Sequence, residues 1–215
     1  MTLSAQLFWS FRSPYSYLAI GRYRALADSH DVDITVRPVY PLAIRQADFF
    51  ERNHPNWLGY TMRDMVRVAQ FYAIPFGPPR PDPIVQDVIT RKIAEDQPYI
   101  YRLTRLGQAA ARRGKSLAFC HEVGSLIWGG ARDWHLGGHL AEAAERAGLD
   151  LAELDAEVRA EADSLDREIG ANQAVLDASG HWGVPTLVFD GEPFFGQDRF
   201  DLAKWRMEQK GLKPR

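Results

Sequence analysis

Apolar and polar positions along the chain change rhythm three times. Leu7-Phe8-Trp9 is a short apolar run that stops at Ser10-Phe11-Arg12-Ser13-Pro14, which predicts a strand over 5–10 and then a turn. Tyr15, Leu18, Ala19, Tyr23 and Leu26 recur at helical spacing, so a helix is predicted to about Ser29, with Ser13 as N-cap and Pro14 as its first residue. The alternating, β-branched stretch from Val32 to Val39 predicts a second strand, and strand–helix–strand within so short a span suggests a βαβ unit with parallel strands.

The middle reads differently. Residues 56–74 carry Trp57, Tyr60, Met65, Val68, Ala69 and Tyr72 at helical spacing, and a proline-rich loop from Pro75 to Pro83 ends that pattern. From Ile84 to about Asp177 the periods are helical, broken at Gly114, Gly129-Gly130, Gly137-Gly138 and Gly148, which predicts four or five helices and no strand. Strand patterning returns at Thr186-Leu187-Val188-Phe189, followed by the hairpin signal Asp190-Gly191, a partner strand to Phe195, and a last helix from Asp198 to about Gln209. Two strands alone make no stable sheet, so the two ends must meet and the helical middle is an insertion into one α/β domain.

Charge narrows the partners. Lys and Arg number 26 against 28 Asp and Glu, so the net charge of −2 supplies no large positive field for nucleic acid or anionic lipid. No apolar run approaches the ~20 residues of a membrane span, and the first residues lack the features of a signal peptide, so a cytoplasmic protein is expected. The single cysteine, Cys120, rules out an intramolecular disulfide and any CxxC motif, and its setting in Ser116-Leu117-Ala118-Phe119-Cys120 reads as a buried helical thiol.

Three features could carry chemistry. Ser13 alone reads as a plain N-cap, yet a hydroxyl at a helix N-terminus can also donate to a thiolate or oxyanion. In Gly183-Val184-Pro185-Thr186 a proline leads straight into a strand, which fits a bend, a cis peptide or an ordinary loop. In Phe194-Phe195-Gly196-Gln197-Asp198-Arg199 the glycine admits another backbone, and Asp198 could cap the last helix or bind an ammonium group. Elsewhere, His135 and His139 share helical spacing but lack a third ligand, so no metal is expected. His181-Trp182 reads as an aromatic wall, the arginines at 102, 105, 112 and 113 as a solvated helix face, and the tryptophans mostly as core or interface residues.

Taken together, Ser13-Pro14-Tyr15-Ser16-Tyr17-Leu18-Ala19, Gly183-Val184-Pro185-Thr186, Asp190-Gly191 and Gly196-Gln197-Asp198-Arg199 resemble the signatures of the 2-hydroxychromene-2-carboxylate isomerase family and its relatives, the kappa-class glutathione transferases. The resemblance spans nearly the whole chain. It implies an α/β fold, a thioredoxin-like domain (1–42 and 178–215) split by an all-helical insertion domain (43–177) that shapes the substrate pocket. It implies glutathione as cosubstrate, with Ser13 standing where disulfide oxidases have their redox cysteine and supporting the glutathione thiolate as the catalytic residue. Pro185 would be a cis-proline, and the Val184 backbone would pair with the tripeptide like an added strand. Phe195, Gly196, Gln197 and Asp198 would receive the γ-glutamyl end, with Asp198 accepting from its ammonium and Arg199 as a further contact. Arg45, Asn53 and Asn56 would bind a small aromatic-derived carboxylate substrate. The implied reaction is isomerisation through transient thiolate addition, and a homodimer is expected. Departures from the family pattern fall at Ser10, Arg12 and Trp57. A conjugating glutathione transferase and a non-catalytic glutathione- or peptide-binding module remain alternatives, while Ser13 argues against a thiol–disulfide oxidoreductase.

Overall fold

The computed structural model describes residues 2–46, 48–87, 89–90 and 92–215. Strand β1 (Leu3–Trp9), helix α1 (Pro14–Ser29) and strand β2 (Val32–Pro38) form the predicted βαβ unit, with β1 and β2 parallel from Leu3↔Val32 to Trp9↔Pro38. Strands β3 (Thr186–Phe189) and β4 (Glu192–Phe195) form the predicted hairpin. Its turn residues Asp190 and Gly191 both take positive φ, 50° and 79°, the geometry that lets a two-residue turn follow the strand twist. β3 runs antiparallel to β1, pairing Leu187 with Leu7, so the two ends of the chain share one four-stranded sheet of order β2-β1-β3-β4.

Alternation along β1 sends side chains to both faces of this sheet. Ala5, Leu7 and Trp9 join Val32, Ile34 and Val36 in the main core, whereas Phe8 packs with Val39 and Leu176 in a smaller cluster. Between β2 and β3 lie α2 (Leu42–Arg45), α3 (Phe49–Arg52), α4 (Pro55–Phe71), α5 (Ile100–Arg112), α6 (Ser116–Trp128), α7 (His139–Arg146), α8 (Leu151–Ala160) and α9 (Ala162–Ala178). Among the described residues this stretch contains no strand beyond isolated bridges, and five helices follow Ile84, as the periodicity predicts. The one-turn helices α2 and α3 were not predicted, because four residues are too few to display a helical period. The chain ends in a 3-10 turn, Gln197–Arg199, and helix α10 (Phe200–Gln209), so the last helix opens one short turn later than expected.

The arginines at 102, 105, 112 and 113 are at least partly exposed, as a solvated face requires, but they are also ion-paired: Arg102 pairs with Asp155, Arg105 with Asp166, Arg113 with Glu157, and Arg112 with Glu157, Glu161 and Glu168. They tie α5 to α8 and α9, partners remote in sequence. The glycines between His135 and His139 mark a helix boundary, since α7 begins at His139 with Gly138 as its N-cap. Trp9, Trp128 and Trp134 are core residues, but Trp182 and Trp205 are 48% and 46% exposed. Cys120 lies fully buried within α6, as predicted, and burial pushes its thiol well above the usual range. Among the described residues no helix is long and apolar enough to cross a membrane.

Candidate functional site

The turn after β1 closes with the Ser13 N–H donating to the Ser10 carbonyl at 3.1 Å, and Ser13 then caps α1. Its hydroxyl oxygen accepts from the Ser16 N–H at 3.2 Å, which leaves its proton directed elsewhere. That proton faces the Val184 carbonyl at 3.4 Å, a long and weak contact. The Val184–Pro185 peptide is cis, one of the outcomes allowed for this proline. The Pro185 carbonyl in turn accepts from the Gly196 N–H at 2.8 Å. Ser13, Val184, Pro185 and Gly196 are therefore linked through consecutive hydrogen-bonded segments, although they are widely separated in sequence.

Gly196 sits at φ 107°, ψ 153°, and a Cβ there would lie 2.5 Å from Asp198 Oδ1, so the Asp198 carboxylate is folded back against a backbone that only glycine fits. Asp198 is mostly exposed, with its other oxygen 3.3 Å from Arg199. The Gln197 side chain is buried, and its two oxygens, backbone O and Oε1, both accept from Arg22 Nη2 at 2.6 and 2.9 Å. Arg22 was not singled out from the sequence; its only signal was a basic residue on a largely apolar helix.

Aromatic rings flank this strip. His181 stacks on Phe195 with centroids 3.9 Å apart and on Trp182 at 5.6 Å, which realises the predicted wall. Its Nδ1 accepts from the Gly183 N–H at 2.9 Å, and burial lowers its pKa, which favours the neutral ring with its proton on Nε2. Phe49 of α3 lies 6.3 Å from Trp182 and 5.6 Å from Trp57 of α4, extending the wall into the helical segment.

Arg45 reaches the same loop: its Nε donates to the Tyr40 carbonyl at 2.6 Å and both terminal nitrogens to the Trp182 carbonyl at 3.2 Å. Asn53 closes α3, donating to the Phe49 carbonyl at 2.7 Å, and Asn56 is exposed in the first turn of α4. A second link absent from the sequence reading joins α1 to α4. The Tyr15 hydroxyl donates to Asp64 at 2.7 Å, and burial, reinforced by that carboxylate, raises its pKa. Among the described residues no group of histidine, cysteine and carboxylate side chains could hold a metal ion.

The arrangement can stabilise an anion at the N-terminus of α1, where first-turn N–H groups and the helix dipole favour negative charge. Ser13 can exchange its weak contact with Val184 for a stronger bond to that anion. It cannot perform dithiol exchange with its own residues, because Cys120 is buried in α6 and serines occupy positions 13 and 16.

Solved structures share the fold. The fold is similar to that of a 2-hydroxychromene-2-carboxylate isomerase (22% identity over 96% of this chain and 95% of that one, TM-score 0.70). It is also similar to a probable DsbA oxidoreductase from Streptomyces coelicolor (19% identity, 96% and 89% covered, TM-score 0.67). A cytosolic disulfide reductase, DsbM, from Pseudomonas aeruginosa gives 17% identity, coverage of 96% and 100%, and a TM-score of 0.64, and a structure of that protein with GSH matches at 0.63. No curated protein sequence matches significantly. The family model for the DSBA-like thioredoxin domain matches residues 6–208, and the chain belongs to that family.

Proposed function

We propose that the chain is a glutathione-dependent isomerase of the 2-hydroxychromene-2-carboxylate type. One observation carries the reading: in a DSBA-like thioredoxin domain, a serine caps α1 beside the Val184–Pro185 peptide, and the chain's one thiol is buried elsewhere. The reacting thiol must then be brought by a ligand, and glutathione is a thiol carried on a peptide that an exposed backbone edge can hold. The structure of DsbM with GSH supports this choice of ligand.

In this reading Val184 pairs with the tripeptide backbone, Phe195, Gly196 and Gln197 form its γ-glutamyl seat, and Asp198 accepts from its ammonium with Arg199 alongside. Ser13 donates to the sulfur and, with the dipole of α1, lowers its pKa from ~8.5 by one unit or more. The thiolate adds to the conjugated double bond of a ring-opened substrate, forming a C–S bond while the electron pair moves onto the carbonyl as an enolate. Rotation about the new single bond follows. Collapse of the enolate re-forms the double bond and expels the thiolate, so glutathione is regenerated.

The substrate carboxylate is assigned to Arg45. Its three bonds to carbonyls leave two of its five N–H groups for an anion. Asn53 and Asn56 are assigned to the same substrate, and the wall of Trp182, Phe49 and Trp57 offers faces for an aromatic ring. A cytoplasmic location fits the need for reduced glutathione. A homodimer belongs to the same reading and is supported by the exposed stripe Leu58, Met62 and Val66 on α4; sedimentation checks it.

The first experiment is calorimetric titration with reduced glutathione, for the wild type and for Asp198→Ala. Saturable binding that weakens in the variant supports the site, and absence of binding at millimolar glutathione overturns it. Turnover of hydroxychromene carboxylates without loss of glutathione then separates isomerisation from conjugation, which consumes it.

A further inference from the structure

Helix α1 touches the candidate glutathione strip twice. Its N-terminus meets Val184 through Ser13, and nine residues on, about 13 Å along the axis, its Arg22 meets Gln197. The second contact is tightly built. One guanidinium nitrogen, Nη2, holds both oxygens of a buried glutamine. The guanidinium plane lies over the Tyr72 ring at 4.1 Å and the Phe200 ring at 5.1 Å, so it is held between the end of α4 and the start of α10. Arginine suits this position because its planar group stacks and forks at once.

Gln197 stands between Gly196, whose N–H holds Pro185, and Asp198, whose carboxylate folds back under Gly196. Fixing both Gln197 oxygens therefore fixes the backbone from which the Asp198 side chain leaves. Asp198 itself is mostly exposed, and among the described residues its one ion pair is with the exposed Arg199. Its direction follows the loop, which Pro185 holds at Gly196 and Arg22 holds at Gln197.

We propose that Arg22 is the positioning residue for the γ-glutamyl end of the tripeptide, aiming Asp198 at the ligand ammonium by clamping Gln197. The inference rests on the glutathione reading above and adds to it a residue that touches no ligand atom.

The test compares two ligands by calorimetry, glutathione and glutaryl-cysteinylglycine, which is the same tripeptide without the α-amino group. Wild-type protein is expected to prefer glutathione by about tenfold or more, the size of one charge-assisted hydrogen bond. Asp198→Asn should lose that preference. Arg22→Met should lose it too, with Asp198 intact, and adding Asp198→Asn to Arg22→Met should cause no further loss. A merely structural Arg22 predicts a different result: both affinities fall by the same factor, or neither changes, and the preference survives. Either outcome overturns the proposal.

Should Arg22→Met fail to melt cooperatively, Arg22→Lys is read in its place. It keeps the charge and removes the planar group that holds both Gln197 oxygens, with every residue of the γ-glutamyl seat intact; a reduced preference supports the clamp and a wild-type preference overturns it. Equal binding of both ligands by the wild type overturns the role of Asp198, and this proposal with it, while leaving glutathione binding intact. Failure of the wild type to bind either ligand overturns the glutathione reading and the inference together.

Discussion

The Ser13 hydroxyl lies 3.4 Å from the Val184 carbonyl oxygen, although 171 positions separate the two residues. Its oxygen is already committed as acceptor to the Ser16 N–H, so its rotation is restricted and its proton is held on the Val184 side. A hydroxyl in this state is a donor with a poor acceptor, ready to turn to a better one. Ser13→Ala should leave glutathione affinity within a few-fold and lower turnover by about a hundredfold, the range for losing one donor to a developing anion. The thiolate absorbance of bound glutathione, followed against pH, should show the sulfur pKa rising by about one unit in the variant. An unchanged pKa would leave Ser13 a cap and nothing more.

Gly196→Ala should disable the strip from its other end. A β-carbon at φ 107° is strained, and it would overlap Asp198 Oδ1 at 2.5 Å, so the carboxylate must swing away. The expected cost is about 1–3 kcal/mol of stability, with glutathione affinity reduced about tenfold. Thermal melts and calorimetry on one preparation measure both. Wild-type affinity in a destabilised variant would mean that Asp198 plays no part in binding.

Much of this arrangement was legible because its signals are local. Ser13-Pro14 marks a helix start, Asp190-Gly191 marks a hairpin, and both stand where the structure has them. The pairing of β1 with β3 followed only from the argument that the strands at the two ends need each other. Arg22, Tyr15 and the α5 arginines escaped because their meaning lies in partners far along the chain. Arg22 meets Gln197 across 175 positions, and Arg102 meets Asp155 across 53. A basic residue on a helix looks the same in sequence whether solvent or a buried acceptor faces it. The aromatic wall was anticipated at His181-Trp182, but its continuation through Phe49 depends on α3, which is too short to carry a pattern.

Acid stability should report on one of these distant contacts. Burial alone would raise the pKa of Glu122, but hydrogen bonds from Arg146 and Arg24, with His121 beside them, hold it down at about 2, against 4.5 for the free side chain. Because the folded-state pKa lies below the unfolded one, the contribution of Glu122 is complete above about 4.5 and is lost as pH falls through about 2. Glu122→Gln should destabilise the protein by about 1 kcal/mol at neutral pH and flatten the decline of stability below pH 4.5. Denaturant melts at a series of pH values test this. An identical acid slope in wild type and variant would show that the links among α1, α6 and α7 do not depend on that charge.

Ser13 and Ser16 together keep dithiol chemistry away from the start of α1. Among the described residues the Ser16 hydroxyl is buried without a hydrogen-bond partner, and the Ser16 N–H donates to Ser13 Oγ, so the two residues share the start of α1. Replacing both with cysteine creates a Cys-Pro-Tyr-Cys sequence at a helix N-terminus, where the first thiol is acidified. Glutathione disulfide then supplies the oxidant. The thiolate at position 13 attacks it and releases one glutathione, and the thiol at position 16, giving up its proton, displaces the second and closes an internal disulfide. Ser13→Cys/Ser16→Cys should therefore protect both new thiols from alkylation after oxidation and expose them after reduction, while Cys120 stays unreactive in the native protein because it is fully buried. The proposed isomerase activity should be lost, since an internal disulfide would occupy the place of the incoming sulfur. Full alkylation of both new thiols after oxidation would mean that their side chains diverge, and that the serines are not what separates this chain from dithiol chemistry.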